Sequence, residues 1–194
     1  DVCSSDLETF ANALAAFVAQ AFGAADVLVN NAGISLISPA EETSLAQWQR
    51  VMAINLQGPF LLSQALGRQM LGRGQGSIVN VASVAGLGGV IYRSAYNASK
   101  HGLIGLTRTL AAEWGGRGVR VNAVCPGWIK TGMDIADQGS GAYCDADIIN
   151  RVPMARFARP EDVAETIAFL ADHDRNSFIN GVCLPVDEIG RAHV

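Results

Sequence analysis

The sequence lacks the features that mark membrane, nucleic-acid-binding and disulfide-rich proteins. Its 194 residues contain no apolar run of the roughly 18 residues that a membrane-spanning helix needs, and no run of basic residues. The net charge of -4 argues against a nucleic-acid partner. The 4 cysteines form no C-x-x-C or other metal-binding spacing, so we expect reduced thiols and no metal site. Without a secretory signal, the expected location is cytoplasmic.

The two ends of the chain are related at the level of codons. Codons for the first residues, DVCSSDL, can be the reverse complement of codons for the last residues, IGRAHV. We therefore expect residues 1–7 and 188–194 to be translated adapter sequence that carries no functional information. The natural part would be one domain over residues 8–187.

Apolar runs of strand length alternate with segments of helical periodicity. This alternation predicts an α/β domain with a parallel sheet covered by helices on both faces. Residues 130–153 break the alternation, and an irregular insertion after a strand is a candidate lid over a ligand site. The predicted helices are residues 8–22, 43–71, 94–114 and 159–172, and the predicted strands are residues 26–33, 77–83, 119–127 and 181–187.

Unusual polar residues and turn residues lie at the carboxyl ends of three of the predicted strands. Asn30 and Asn31 lie at the end of the first, Ser83 at the end of the second, and Pro126 and Gly127 at the end of the third. Ligands of parallel sheets bind at the carboxyl ends of strands, so we expect a binding site at this edge of the sheet.

The segment SAYNASK places Tyr96 and Lys100 four residues apart in a predicted helix, on one face. One interpretation is a surface pair, which is common at this spacing. The other is a phenol that exchanges protons. The adjacent ammonium favours the phenolate, so we expect it to lower the pKa of the phenol.

The ordered set of motifs resembles the short-chain dehydrogenase/reductase family, and the resemblance covers residues 8–187. It rests on NNAG, a helical Asn, a Ser after a strand, YNASK and PG. The resemblance implies a Rossmann-like, doubly wound parallel sheet and an NAD(P)-dependent oxidoreductase. The matching positions are Asn30 to Gly33, Asn55, Ser83, Tyr96, Lys100, Pro126 and Gly127.

The resemblance assigns catalytic roles to four residues. Tyr96 would be the general acid in carbonyl reduction and the general base in alcohol oxidation. Lys100 would bind the hydroxyls of the nicotinamide ribose and tune Tyr96. Ser83 would hydrogen-bond the substrate oxygen, and Asn55 would hold a water on a proton path from Lys100.

The resemblance also implies contacts to NAD or NADP. NNAG alone suits a simple strand-to-turn exit equally well. Four further residues could line the substrate pocket, although loop aromatics are as often local packing. The implied cofactor contacts are Asn30, Ala32, Gly33, Tyr96, Lys100, Pro126, Gly127, Ile129 and Thr131, and the pocket candidates are Arg93, Trp128, Met133 and Tyr143.

The family's first strands and its Gly-rich turn, T-G-x-x-x-G-x-G, have no counterpart before NNAG. At 30 or more residues per βαβ unit, roughly 60 residues of the family pattern are absent. They include the position that selects NAD or NADP. We therefore expect an exposed strand edge, exposed apolar helix faces and weak or no cofactor binding by this chain. The chain would then be an inactive fragment of a full-length parent protein that is an active enzyme.

The expected substrate is a ketone or secondary alcohol. Bacterial 3-oxoacyl-carrier-protein reductases are similar, and Arg73 and Arg117 could belong to a carrier-docking face; the alternative is that such arginines are solvated or cap carbonyls. A second functional class is a non-catalytic dinucleotide sensor or scaffold of the same fold. The family analogy also implies a homotetramer.

Overall fold

The computed structural model describes residues 4–139, 141 and 143–188. In these residues, four strands form one parallel sheet whose spatial order follows the chain. Each coincides to within a few residues with a predicted strand, so the expected parallel α/β fold is confirmed. The strands are β1 Val27–Asn30, β2 Gly76–Val81, β3 Val119–Pro126 and β4 Cys183–Val186.

The predicted helices are also present. The first begins earlier than expected, and the long helix predicted over residues 43–71 is divided. The lid segment, residues 130–153, contains two short helices. The α-helices are α1 Ser4–Phe22, α2 Leu45–Met52, α3 Gly58–Arg73, α4 Ser94–Trp114, α5 Gly132–Gln138, α6 Asp145–Ile149, α7 Pro160–Ala171 and α8 His173–Asn176.

The sheet is covered on both faces because its strands carry apolar residues at successive positions. Ile78 and Val79 are adjacent in β2 and point to opposite faces. Ile78 packs in a cluster with Met70 of α3 and Trp114 of α4, whereas Val79 packs with Leu170 of α7. Burial on both faces is what parallel strands connected by helices require.

The division of the long helix lies at a π-helical turn, Ala53–Gln57, between α2 and α3. Ser44 begins α2 with a reciprocal cap, in which its side chain and that of Gln47 bond each other's backbone. Gly74 ends α3 in the left-handed conformation, at a φ of 69°. Periodicity alone does not reveal one extra residue in a turn, which is why the sequence predicted a continuous helix.

Strand β1 lies at one edge of the sheet. Its Val27 and Val29 are 44% and 39% exposed, and α1 exposes Phe10, Phe17 and Phe22 by 61%, 58% and 75%. The expected exposed edge and apolar helix face are therefore confirmed.

Candidate active site

A cavity of about 720 Å³ opens at the carboxyl ends of β1, β2 and β3. Loops after these strands, the start of α4, the lid segment and α7 surround it. The predicted residues that line it are Gly33, Ser83, Arg93, Tyr96, Lys100, Pro126, Gly127, Trp128, Ile129, Thr131, Met133 and Tyr143. The edge of the sheet that the strand-end pattern indicated is thus the edge that holds the cavity.

Helix α4 carries Tyr96 and Lys100 on the face toward the cavity. The Lys100 Nζ lies 5.6 Å from the centroid of the Tyr96 ring and donates a hydrogen bond to the Val81 carbonyl at 2.7 Å. The Lys100 side chain is buried, and burial lowers its pKa to about 8. The pair is therefore an interior pair that borders the cavity and not a surface pair.

Ser83 and Tyr96 both line the cavity, and the Ser83 hydroxyl lies close enough to lower the pKa of the Tyr96 phenol. Ser83 follows β2 in extended conformation, and its Oγ accepts a hydrogen bond from the Ala85 backbone N–H at 3.1 Å. This contact fixes the hydroxyl at the start of a short 3-10 helix. The two hydroxyls are thereby positioned to contact one substrate oxygen.

The pKa of Tyr96 is raised, chiefly because burial disfavours the phenolate. The nearby Ser83 hydroxyl and the charge of Arg93 oppose this effect, while Asp137 adds to it. The prediction of a lowered pKa for Tyr96 is therefore wrong for this structure, because desolvation outweighs the charge of Arg93.

Asn55 lies in the π-helical turn and is fully buried. Its Oδ1 accepts from the Ile34 N–H at 2.9 Å, and its Nδ2 donates to the Ile34 carbonyl at 2.9 Å and to the Ser99 Oγ at 3.1 Å. The side chain thus ties the loop after β1 to α4, next to Lys100. Its role in holding a water stays a prediction. π-Turns are frequent at functional sites, but their sequence signal is weak.

The NNAG segment divides between the cavity and the core. Asn31 and Gly33 line the cavity, whereas Asn30 and Ala32 are not among its lining residues. The Asn30 Nδ2 donates to the Asn80 Oδ1 at 2.8 Å and to the Ser63 Oγ at 3.1 Å, both in the interior. The side chain of Asn30 therefore stabilises the strand ends, while Asn31, which is not one of the implied cofactor contacts, lines the cavity.

Lid residues and Arg93 form the polar wall of the cavity opposite the sheet. The Arg93 Nη1 donates to the Asp137 Oδ2 of α5 at 2.7 Å and also to the Ser35 Oγ. The Tyr143 hydroxyl donates to the Asp134 Oδ1 at 3.0 Å. No motif in the sequence points to Asp134 or Asp137, because their position at the cavity depends on where α5 packs.

The Tyr143 ring packs edge-on against Trp128, with 5.1 Å between ring centroids. Burial and the Asp134 carboxylate strongly raise the pKa of Tyr143, so its hydroxyl stays protonated. Trp128, Met133, Tyr143 and Arg93 were predicted as pocket residues, and all four line the cavity.

Across the described ranges, residues 4–139, 141 and 143–188, no group of three or more His, Cys, Asp or Glu side chains could hold a metal ion. No helix in those ranges is long and apolar enough to cross a bilayer.

Arg73 contacts the start of β1. Its Nη1 lies 2.9 Å from the Asp26 Oδ1, and its Nη2 donates to the Ala25 carbonyl. Arg73 therefore stabilises the connection before β1. Its contact with the Ala25 carbonyl agrees with the alternative that this arginine caps a carbonyl, in place of a role in a carrier-docking face.

Comparison with known proteins gives three relevant similarities. A family model described as enoyl-(acyl carrier protein) reductase matches residues 2–188. The chain is 45% identical over 170 residues to a D-threitol dehydrogenase from Mycolicibacterium smegmatis, covering 88% of this chain and 64% of that protein. It is 41% identical over 170 residues to a 3-oxoacyl-(acyl-carrier-protein) reductase from Thermotoga maritima, covering 88% and 68%. The chain thus spans about two thirds of the length of these relatives.

A solved structure of similar fold is a gluconate 5-dehydrogenase from Burkholderia cenocepacia in complex with NADP and tartrate. The sequence identity is 30% and the TM-score 0.89, and the match covers 97% of this chain and 74% of that one.

Proposed function

Because the chain belongs to the short-chain dehydrogenase/reductase family, we propose that its parent protein is an NAD(P)-dependent oxidoreductase acting on a ketone or secondary alcohol. The observation that carries the proposal is that the side chains of Ser83, Tyr96 and Lys100 line one cavity. These three side chains supply a proton donor, a second hydroxyl and a fixed cation at one point.

Tyr96 is the group that moves the proton. Its raised pKa keeps the phenol protonated at neutral pH, which is the form that donates to a carbonyl oxygen during reduction. In the oxidative direction the same oxygen accepts the hydroxyl proton of the alcohol. Ser83 hydrogen-bonds the substrate oxygen and stabilises the negative charge that develops on it.

The cavity leaves room beside Lys100 for the nicotinamide half of a dinucleotide. A Cβ at Gly33 would lie 3.6 Å from the Lys100 Nζ, so the missing side chain leaves room for a ligand to approach the ammonium. When bound, the nicotinamide supplies or accepts the hydride. Lys100 would hold the ribose hydroxyls, and Pro126, Gly127, Ile129 and Thr131 would contact the nicotinamide half. Asn30 and Ala32 would contribute through backbone atoms only.

The finer features of the parent protein are also proposals. We propose a cytoplasmic homotetramer, by analogy with the family, which size-exclusion chromatography with light scattering would test. A carrier-docking face would depend on Arg117, which is exposed, because Arg73 is engaged by Asp26.

We propose further that the functional domain spans residues 8–187. Ser4 to Leu7 lie within α1, and Glu188 accepts a hydrogen bond from the Met154 N–H. Residues 1–3 and 189–194 lie outside the described residues. A chain trimmed to residues 8–187 is expected to have a free energy of unfolding within about 0.5 kcal/mol of that of the full chain, measured by urea denaturation. The nucleotide sequence tests the adapter origin of the two ends. Codons for the first and last residues that are not reverse complements of each other would contradict it.

The test is a fluorescence titration of the chain with NADH and NADPH, followed by an assay of ketone reduction. Tyr96→Phe is expected to keep cofactor affinity within about twofold and to lower turnover at least about 100-fold, the range for loss of a general acid. Tyr92→Phe is the matched control, because Tyr92 lies four residues earlier and is 54% exposed.

Each outcome separates the two functional classes. Saturable binding with turnover that depends on Tyr96 supports the oxidoreductase. Saturable binding with no turnover in either protein supports the sensor or scaffold. Absence of binding by a folded chain contradicts a cofactor-dependent function of this chain.

A further inference from the structure

We infer that Asn80 and Thr107 are positioning residues for Lys100. Their buried hydrogen bond lies about two helical turns beyond Lys100 and fixes where α4 presents the ammonium to the cavity. The inference rests on the proposed function, because that function gives Lys100 its role beside the cofactor. Neither Asn80 nor Thr107 is among the residues that line the cavity, so both would act through Lys100 and not by contact with a ligand.

The bond joins the interior of the sheet to the inner face of α4. The Asn80 Nδ2 donates to the Thr107 Oγ1 at 2.9 Å, and both residues are 0% exposed. The Thr107 hydroxyl in turn donates to the Leu103 carbonyl of its own helix at 2.7 Å. Breaking a bond at this depth leaves a buried donor without a partner, which costs more than the bond itself contributes. The bond therefore fixes the distance between β2 and this part of α4.

Thr107 lies on the same face of α4 as Lys100, because seven residues make almost two turns of an α-helix. Asn80 directly precedes Val81 in β2, and the Val81 carbonyl accepts the hydrogen bond from Lys100. Two consecutive residues of β2 thus hold two points on one face of α4. A helix that shifts or rotates at Thr107 carries Lys100 away from the Val81 carbonyl, so the second contact depends on the first.

Asn80 also links α4 to the strand that leads into the NNAG segment. Its Oδ1 accepts from the Asn30 Nδ2 at 2.8 Å, and Asn30 lies opposite Asn80 in the register of β1 and β2. Gly33 follows in the same segment, where a Cβ would lie 3.6 Å from the Lys100 Nζ. One side chain therefore sets the position of α4 and of the loop that faces its ammonium.

A purely structural role is the alternative, in which the two side chains do no more than satisfy each other in the core. Asn122 of β3 separates the two interpretations. It is also 0% exposed and makes two hydrogen bonds, with the Ile179 carbonyl and the Val182 N–H, in the segment before β4. Its loss should destabilise the fold by the same mechanism without shifting α4.

The test measures the pKa of Lys100 by NMR in a chain with isotope-labelled lysine side chains. The sequence has two lysines, Lys100 and Lys130, so the second signal is an internal reference from the lid segment. Burial lowers the pKa of Lys100 from 10.5 to about 8, and a shift of α4 that admits water should raise it again. The measurement needs neither cofactor nor substrate.

The titratable groups next to Lys100 are Tyr96 on its own helix and Cys125 on β3. None of the substitutions in the test removes a charged or titratable group, so a change in the pKa of Lys100 reports a change in its burial. The other titratable residues that line the cavity are Arg93, Asp134, Asp137, Tyr143 and Asp187.

Thr107→Val keeps the branched shape of the side chain and removes the acceptor for Asn80, so the pKa of Lys100 is expected to rise by at least about 0.5. Thr107→Ser keeps the hydroxyl and is expected to leave this pKa within about 0.2 of its value in the unmodified chain. Asn80→Val removes the donor and should raise the pKa at least as much as Thr107→Val. Asn122→Val is the matched control and should leave it unchanged.

A rise in Thr107→Val or Asn80→Val that is absent from Thr107→Ser and Asn122→Val supports the positioning role. An unchanged pKa in both Thr107→Val and Asn80→Val, or an equal rise in Thr107→Ser or Asn122→Val, would overturn it. Thermal unfolding verifies that each variant is folded, and Thr107→Val decides the test if Asn80→Val does not fold. Failure of the proposed function is a separate result, since it appears as absence of NADH and NADPH binding or as full turnover in Tyr96→Phe.

Discussion

Lys100 donates its hydrogen bond to the carbonyl of Val81, the last residue of β2, at 2.7 Å. A side chain on a helix thereby binds the carboxyl end of a strand. This contact holds the ammonium at the cavity wall, and the burial that it entails lowers the pKa of Lys100 from 10.5 to about 8.

The first prediction concerns pH and Lys100. Between pH 8 and 10.5 the unfolded chain binds more protons at this lysine than the folded chain, so the free energy of unfolding rises with pH in that window. Between pH 7.5 and 9.5 the free energy of unfolding of the unmodified chain is expected to rise, relative to that of Lys100→Met, by on the order of 1–2 kcal/mol. Urea denaturation of both proteins at the two pH values measures this difference. Parallel pH profiles of the two proteins would contradict the lowered pKa.

The second prediction concerns Arg120, which is 4% exposed. Its guanidinium bonds the end of α7 and the segment after it, so Arg120→Met is expected to destabilise the fold by about 3 kcal/mol or more by leaving buried acceptors without donors. Arg120→Lys should recover only part of this loss, because an ammonium lacks the planar fork. The acceptors are Ser77 Oγ, Leu170 O, Ala171 O, Asp172 O, Asn176 Oδ1 and Ile179 O.

Urea denaturation measures both Arg120 variants, with Arg68→Met as an exposed arginine control. A change within about 0.5 kcal/mol for Arg120→Met, as expected for the control, would show that the buried bonds contribute little.

The third prediction compares two glycines of α3. A Cβ at Gly67 would lie 2.8 Å from the Trp114 ring, so Gly67→Ala is expected to cost about 1–3 kcal/mol through overpacking. Gly72→Ala meets no atom within 4 Å and is expected to stabilise the helix by about 1 kcal/mol. The midpoint temperatures of thermal unfolding of the two variants should therefore shift in opposite directions. Shifts of the same sign would contradict close packing of α3 against α4.

The fourth prediction concerns the exposed apolar face of α1. Phe17→Lys is expected to reduce binding of the dye ANS and to slow aggregation, with a change in stability within about 0.5 kcal/mol. The control is Phe178→Lys, because Phe178 is fully exposed outside this face. Equal reductions in both variants would mean that exposed phenylalanines act singly and that the α1 face is not a cohesive patch.

From the sequence we predicted the order of strands and helices, and we selected Ser83, Tyr96 and Lys100, which the fold brings to one cavity. These features depend on periodicity and motif spacing, which are properties of residues close together in the chain. It also indicated the edge of the sheet at which the cavity lies, since the carboxyl ends of parallel strands all lie there. The absence of a Gly-rich turn before NNAG correctly indicated the exposed edge.

The environment of those residues depends on tertiary packing, which the sequence pattern does not reveal. Whether Tyr96 gains or loses acidity depends on desolvation by segments distant in the chain, and burial reversed the expected direction. The inward side chain of Asn30 and the π-turn at Asn55 also depend on distant partners. The pairing of Arg93 with Asp137 depends on where the lid packs, which no spacing within either segment specifies, because long-range packing selects among several locally acceptable conformations.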